Sequence, residues 1–329
     1  MRFLFVFLFS VNAFAFEFIN KGVVSFERKG TGGISGIHFN KNDGFLYAIS
    51  DDRGHPRIFK FKIELEPTPT VIFIDEIKIK LKKSNDSIDA EGISFLPWGN
   101  FLISTEGDAN KKPRIAPKLL DIKADGAYLR DYDFPKEYNP DRTGKQVSGV
   151  RNNYGFEGLS KHPTQDLWLA GLESQLMQDP PGIVRLVQYS MPEAWVIKPL
   201  SAFAYPLAAD SKDIRHGLSD LLWLTDKKLL VLERGALVSV KGLEFKNELY
   251  FYDLTNAENI LDKQKLEPTV KMGVKNKATD ITGTKQNLEG ITLGPRFKDG
   301  SESLILVSDD NFNKMLKTEF IFYSYRADK

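Results

Sequence analysis

Short apolar segments alternate with polar turns along the whole chain. Residues 45–50 (FLYAIS) follow the turn sequence Asn42-Asp43-Gly44, and residues 57–65 (RIFKFKIEL) alternate apolar and polar side chains. Alternation with a period of two indicates half-buried β-strands, and Asn or Asp before Gly favours tight hairpin turns. Long segments with helical periodicity are absent from the pattern. It therefore predicts an all-β protein built from short antiparallel strands.

One short motif recurs at the same place in this pattern. Its clearest copy is residues 89–95 (DAEGISF), in which an acidic residue and a glycine precede an aliphatic residue. Related copies are FEGLS (156–160), GLSDL (217–221), LEGIT (288–292) and, without the acid, ISGI (34–37). Alignment at positions 36, 92, 158, 220 and 290 gives spacings of 56, 66, 62 and 70 residues. A structural unit repeated with such a period predicts a repeat architecture.

Most of the repeats contain four predicted strands. Short strands repeated about every 60 residues indicate a β-propeller, in which radial repetition leaves only short, protected sheet edges. We count five units, although the loops have room for a sixth blade, and we place the last strand of unit four at residues 269–274. Unit five has only three strands, so residues 16–26 are expected to complete it and close the ring. The alternative, a β-sandwich with long loops, would not require a motif repeated at one strand position.

Acidic residues recur at two positions in the units. The first strands of propeller blades line the central channel, so their equivalent residues converge at one mouth. The inner ring would contain Glu91, Glu157, Asp220 and Glu289, with Ser35 in unit one. A second ring, at the ends of the second strands, would contain Asp51 or Asp52, Glu106, Glu173, Glu233 and Asp309.

Carboxylates directed at one point repel one another unless a cation neutralises them, and hard divalent cations prefer oxygen ligands. We therefore predict that the inner ring binds a divalent metal, Ca²⁺ in preference to Mg²⁺, through Glu91, Glu157, Asp220 and Glu289. The alternative for these acids is a structural role, in which they cap turns or bind backbone amides of the neighbouring blade.

Arg53 and Arg234 directly follow acids of the second ring. Because the guanidinium fork suits phosphate and carboxylate groups, we assign both arginines to substrate binding. Glu106 and Glu173 are the predicted catalytic residues, as acceptors of a proton. The chain has no cysteine, and it contains none of the G-x-S-x-G, H-E-x-x-H or Walker motifs.

The composition describes an ordinary globular chain. It has 329 residues, of which 42% are hydrophobic, and a net charge of +1, so nucleic acid is not an expected partner. Residues 1–15 have the charge, apolar run and small-residue ending of a signal peptide, with cleavage after Ala15. We expect a single monomeric domain over residues 16–329, without an integral membrane segment. The lack of cysteine suits a bacterial periplasmic or secreted protein with a sufficient core.

The repeat of Glu-Gly-aliphatic segments, each followed by a strand that ends in an acid, resembles the phytase-like family described by an esterase-like activity of phytase. The resemblance covers nearly the whole mature chain through AEGI (90–93), FEGL (156–159) and LEGI (288–291), with LER (232–234) and VSDD (307–310). It implies an exported bacterial β-propeller that hydrolyses small anionic esters of phosphate or carboxylic acids. Unit one departs from the family pattern at Ser35.

Two other functions fit the same residues. A non-catalytic propeller that binds a ligand or a protein would use the acids for blade cohesion or for a structural Ca²⁺. A lactonase-type propeller would add asparagine to its acidic metal ligands, and Asn152 and Asn153 lie just ahead of Glu157.

Overall fold

The computed structural model describes residues 17–82, 87–211, 214–239, 242–281 and 284–326, so the predicted signal peptide lies outside the described residues. Within these ranges, twenty strands form five four-stranded antiparallel sheets. The one helix in the same ranges is a 3₁₀ turn at Lys136–Tyr138. None of the described segments is a helix long and apolar enough to span a bilayer.

Each sheet is one blade, and its strands run outward from the centre. Blade one contains β2 (Ile34–Asn40), β3 (Phe45–Ser50), β4 (Arg57–Glu64) and β5 (Thr70–Lys78). Blade two contains β6 (Ala90–Phe95), β7 (Phe101–Thr105), β8 (Lys118–Ile122) and β9 (Tyr128–Asp133). Blade three contains β10 (Phe156–Lys161), β11 (Leu167–Leu172), β12 (Ile183–Glu193) and β13 (Val196–Pro206). Blade four contains β14 (Ile214–Trp223), β15 (Lys228–Ser239), β16 (Gly242–Asp253) and β17 (Val274–Asp280). Blade five contains β18 (Asn287–Arg296), β19 (Glu302–Asp309), β20 (Thr318–Arg326) and, outermost, β1 (Glu17–Phe26).

The blades form a closed ring. Their innermost strands contact one another in the order β2, β6, β10, β14 and β18, and β18 contacts β2 again. Strand β1 pairs antiparallel with β20, with Glu17 opposite Arg326 and Phe26 opposite Thr318. The predicted closure of the last blade by the N-terminal strand is therefore confirmed, as is the five-bladed propeller. A sixth blade does not occur in the described part of the chain.

The last strand of blade four differs from the prediction. It lies at Val274–Asp280, whereas residues 269–274 were expected to form it. The apolar side chains of Ile260, Leu266 and Val270 pack in a cluster with Ala202 and Ala204 of blade three. These loop residues therefore resemble a strand in their apolar content but are buried against the neighbouring blade.

Apolar side chains also fill the spaces between the other blades. Tyr47 and Ile58 of blade one, for example, share a buried cluster with Ile93 and Ile103 of blade two. At roughly 25 cal/mol per Å² of buried apolar surface, these layers supply the main stabilisation of the ring.

The repeated glycine allows adjacent innermost strands to approach closely. A Cβ atom on Gly36 would lie 2.3 Å from the carbonyl oxygen of Glu91, and one on Gly92 would lie 2.8 Å from that of Glu157. Real Cβ atoms do not approach a backbone oxygen so closely, so these positions require glycine. Four of the five units have this glycine, which lets the innermost strands approach one another around the axis, and unit four has Asp220 at the equivalent position.

Candidate functional site

An acidic cavity of about 290 Å³ lies at the mouth of the ring where the motifs meet. Two guanidinium groups line it, those of Arg53 and Arg234, together with Phe245 and three asparagines. Eight carboxyl groups also line it: Asp51, Asp89, Glu91, Glu106, Glu157, Glu173, Glu289 and Asp309. Negative groups therefore exceed positive groups four to one.

A β-bulge in each innermost strand places the motif at this mouth. The pairing of β6 with β7 shifts between Ala90 and Ile93, so Glu91 lies within the bulge. Glu157 in blade three and Glu289 in blade five occupy the same bulge in their strands. Because a bulge bends its strand and redirects a side chain, three glutamates from three blades converge.

The strand pairing shows that blade four lacks both acids at the ring positions. Its bulge lies between Leu218 and Asp220, so Ser219 occupies the place that Glu289 has in blade five. In the second strand of blade four, Arg234 pairs with Gly217, and in blade five Asp309 pairs with Asn287. Arg234 therefore occupies the position that the acid Asp309 has in blade five. The sequence analysis had assigned Asp220 and Glu233 to the two rings, although alignment of the motifs at position 220 already puts Ser219 where other units have their acid.

Asp220 and Glu233 lie outside the acidic cavity, and their oxygens have other partners. The carboxylate of Asp220 accepts hydrogen bonds of 2.8 Å from the amides of Leu221 and Ile291, and so links blades four and five. Glu233 accepts a 2.6 Å hydrogen bond from the Tyr205 hydroxyl and forms an ion pair with Lys275.

The remaining acids form three overlapping groups suited to a cation. Within each group, one carboxylate oxygen per residue lies within 4.8 Å of the others. The groups are Glu91, Glu157 and Glu289; Asp89, Glu91 and Glu106; and Glu106, Glu157 and Glu173. All of these side chains are buried. Of the two predicted catalytic residues, Glu106 therefore shares a group with the predicted metal ligands Glu91 and Glu157, and Glu173 shares one with Glu157.

Burial and mutual repulsion disfavour the ionised form of this cluster. Burial is the larger cause that raises the pKa values of Glu91, Glu106 and Glu157 well above their usual range, and neighbouring carboxylates raise them further. Burial, again with nearby carboxylates, raises the pKa of Asp51 to about 7. The cluster therefore holds protons at neutral pH unless another positive charge replaces them.

The two arginines have different surroundings. Arg234 is largely buried, and it donates to Asn287 at 2.7 Å and to Glu173 at 2.8 Å while pairing with Glu289. The side chain of Arg53 is 44% exposed, pairs with Asp89 and donates to Asn153 at 3.2 Å. Arg234 thus compensates part of the buried negative charge, whereas Arg53 presents a guanidinium group at the rim.

The sequence interpretation missed Asp89 and Asn287 as site residues. Each lies two positions before a motif glutamate, at Asp89-Ala90-Glu91 and Asn287-Leu288-Glu289. Residues i and i+2 of a strand share a face, so this spacing was the signal that could have identified both. Asn153 also lines the cavity, while Asn152 accepts a hydrogen bond from the Ala109 amide.

Comparison with solved structures finds distant similarities that extend over most of the chain. An α-L-arabinofuranosidase from Podospora anserina is 9% identical, with a TM-score of 0.48, over 95% of this chain and 97% of that chain. An endo-arabinase from Bacteroides thetaiotaomicron is 10% identical, with a TM-score of 0.47, over 91% and 96%. A periplasmic gluconolactonase from Pseudomonas aeruginosa is 12% identical, with a TM-score of 0.40, over 86% and 83%. Such distant likenesses carry no argument about activity.

Comparison of the sequence with protein families identifies the family of this chain, which the structural similarities do not. No curated protein matches the chain in sequence. The family described as "Esterase-like activity of phytase" matches residues 29–312, which include all five motifs and every residue that lines the acidic cavity. The chain therefore belongs to this phytase-like family.

Proposed function

We propose that the acidic cavity binds a divalent cation and that the protein hydrolyses small anionic esters, of phosphate or of carboxylic acids, beside it. The observation that carries this proposal is the convergence of Glu91, Glu157 and Glu289 from three blades, with oxygens within 4.8 Å of one another. Three buried carboxylates at this separation need either protons or a cation, and a cation site with free space beside it is suited to hydrolysis.

The donor set fits Ca²⁺ better than Mg²⁺. Ca²⁺ accepts six to eight oxygen ligands in irregular arrangements, whereas Mg²⁺ requires near-ideal octahedral geometry. The eight carboxyl groups around the cavity offer many oxygens of this type. Among the described residues, the buried Oδ1 atom of Asp51 has no hydrogen-bond partner, which leaves it available as well. Asp220 is not part of the proposed set, because both its oxygens accept backbone hydrogen bonds.

The remaining residues have roles that follow from their positions. A bound cation would polarise the ester and lower the pKa of an attacking water. Glu106 and Glu173 border the central glutamates and are the proposed acceptors of the water proton. Arg53 would hold the anionic group of the substrate at the rim, since its side chain is partly exposed. Arg234 would contact the same anion from within while it orients Glu173.

The test combines metal content with turnover. The purified mature protein should contain about one divalent ion by mass spectrometry, and p-nitrophenyl phosphate or p-nitrophenyl acetate should be hydrolysed in a chelator-sensitive manner. Glu157→Gln should lose both the ion and the activity. Glu64→Gln, at an exposed residue paired with Lys62, is the matched control and should retain both. A metal-free wild-type protein with unchanged turnover would refute the proposal.

A structural cation is the second candidate, because the same three glutamates belong to three blades and an ion there would cross-link them. This alternative predicts a bound ion and a large gain in melting temperature, but no turnover of any ester. A lactone is also an ester, so a lactone panel belongs in the screen, and Asn153 at the cavity supports its inclusion. The apolar segment before residue 16 supports export to the periplasm or the medium, which N-terminal sequencing of the mature protein would test.

A further inference from the structure

A second cavity, of about 220 Å³, lies at the opposite mouth of the propeller. It is lined by the C-terminal halves of all five innermost strands, at His38, Phe95, Lys161, Trp223 and Leu293. The strand from Glu91 to Phe95 places this mouth roughly 13 Å from the acidic one, at about 3.3 Å per residue. The two cavities share no lining residue. The second cavity is therefore independent of the proposed ester site.

One part of this cavity is apolar and aromatic. Phe39, Phe95, Leu222, Trp223 and Leu293 form its apolar walls. The ring centroids of His38 and Phe95 are 5.5 Å apart, and His162 packs edge-on to Trp223 at 4.7 Å. Flat rings fixed in this way can pack against a planar apolar group.

The polar part of the cavity offers hydrogen-bond donors and positive charge. Lys41 and Lys161 line it, and no acidic residue does. Lys161 pairs with Asp166 outside the lining at 3.0 Å, which leaves two of its three N–H groups for another acceptor. The buried indole N–H of Trp223 has no partner among the described residues. Because this nitrogen has almost no accessible surface, the two lysines are the charged donors that the cavity offers a ligand.

His38 and His162 complete the lining. Burial, followed by the charges of Lys161 and Lys41, lowers the pKa of His38 to about 4, so its imidazole is neutral at pH 7. His162 is engaged with the rest of the fold, because its Nε2 atom lies 3.2 Å from Asp226 and its Nδ1 atom accepts from the Gln165 amide. The lysines therefore supply the positive charge of the cavity.

We propose that this second cavity binds a small aromatic monocarboxylate. Its ring would pack against Phe95 and Trp223, and its carboxylate would accept a hydrogen bond from the Lys161 ammonium group. The volume is below the roughly 300–1,000 Å³ of sites for drug-sized ligands, so a single ring is the appropriate size. The two lysines of this mouth attract a carboxylate, and no acidic residue of the lining opposes them.

Benzoate is the test probe, and benzamide is its uncharged isostere. Calorimetric titration of the full-length mature protein should give saturable benzoate binding in the millimolar range or tighter, and benzamide should bind at least about tenfold more weakly. Lys161→Met should weaken benzoate by about tenfold and leave benzamide unchanged, because only the charged ligand uses the ammonium group.

Three controls make the outcome decisive. Lys123→Met, at an exposed turn, should bind benzoate as the wild type does. Glu157→Gln should also bind it normally, so failure here and failure of the ester proposal are distinguishable. Equal affinities for benzoate and benzamide, or no saturation at millimolar benzoate, would overturn the proposal. The comparison of the two ligands needs only wild-type protein, so it remains valid if a variant fails to fold.

Discussion

Replacing Glu157 by glutamine removes one negative charge from the acidic cavity and changes its volume by almost nothing. The carboxylate oxygens of Glu157, Glu91 and Glu289 lie within 4.8 Å of one another. Two unit charges at that distance repel by about 3.5 kcal/mol at an effective dielectric constant near 20. Protonation relieves this repulsion at a cost of about 1.4 kcal/mol for each pH unit above the ordinary pKa. Because the charge of Arg234 offsets part of this repulsion, we expect metal-free Glu157→Gln to be about 2 kcal/mol more stable than metal-free wild type at pH 8.

The sign of the pH dependence follows from the direction of the pKa shift. Burial and then neighbouring carboxylates raise the folded-state pKa of Glu157 well above its usual 4.5, so the folded state binds more protons than the unfolded state. Proton binding by Glu157 therefore stabilises the folded state fully at a pH below the pKa of the unfolded state. This stabilisation is lost as the pH rises through the pKa of the folded state. Metal-free wild type should thus lose stability relative to Glu157→Gln as the pH rises from 5 to about 8.

Added Ca²⁺ should reverse the order of the two proteins. A ligand at about 100 times its dissociation constant stabilises the folded state by about 2.7 kcal/mol, which the variant should not gain. At roughly 2 °C per kcal/mol, the variant should melt about 4 °C higher in chelator and show little response to Ca²⁺. Scanning calorimetry with Glu64→Gln as control measures both effects. If the variant is less stable in chelator and retains the full Ca²⁺ response, the carboxylates do not repel as argued and the cation does not bind there.

Three further predictions concern the fold. Glu248 lies among lysines that lower its pKa to about 2 despite its burial. Glu248→Gln should therefore lower the free energy of unfolding by about 1–2 kcal/mol at pH 7. In urea titrations this difference should vanish as the pH falls from 4.5 to 2. Arg185 is fully buried and donates two hydrogen bonds, of 2.6 and 2.8 Å, to Asp179, so Arg185→Met should destabilise by about 3–5 kcal/mol in chemical denaturation. A second change of Asp179 to asparagine should recover part of that loss. Gly92→Ala should cost about 2–3 kcal/mol by the same assay, since the added methyl group meets the next blade. Gly54→Ala should be nearly neutral, because its Cβ would make only an ordinary 3.7 Å contact with Asp52.

The repeat made the architecture predictable because it is local and periodic. Strands of four to eight residues with alternating polarity, and one motif in each unit, indicated five blades, and the three-stranded last unit indicated closure by the N-terminal strand. The misplaced strand of blade four has a different cause. The apolar side chains at 260, 266 and 270 face the neighbouring blade, and no local pattern separates burial in a loop from burial in a strand.

The sequence by itself determined the propeller, the mouth at which acids gather and the identities of Glu91, Glu157 and Glu289 as neighbours, because equivalent positions of repeated blades must lie around one axis. Only the tertiary structure showed which partners the acids of blade four have. There a bulge after Leu218 puts Ser219 and Arg234 at the ring positions, and directs Asp220 and Glu233 to partners elsewhere. A one-residue change of register exchanges the two faces of a strand, and its free energy depends on pairing and packing that the sequence pattern does not contain. For the same reason, the second cavity became visible only when the C-terminal halves of five distant strands were brought together.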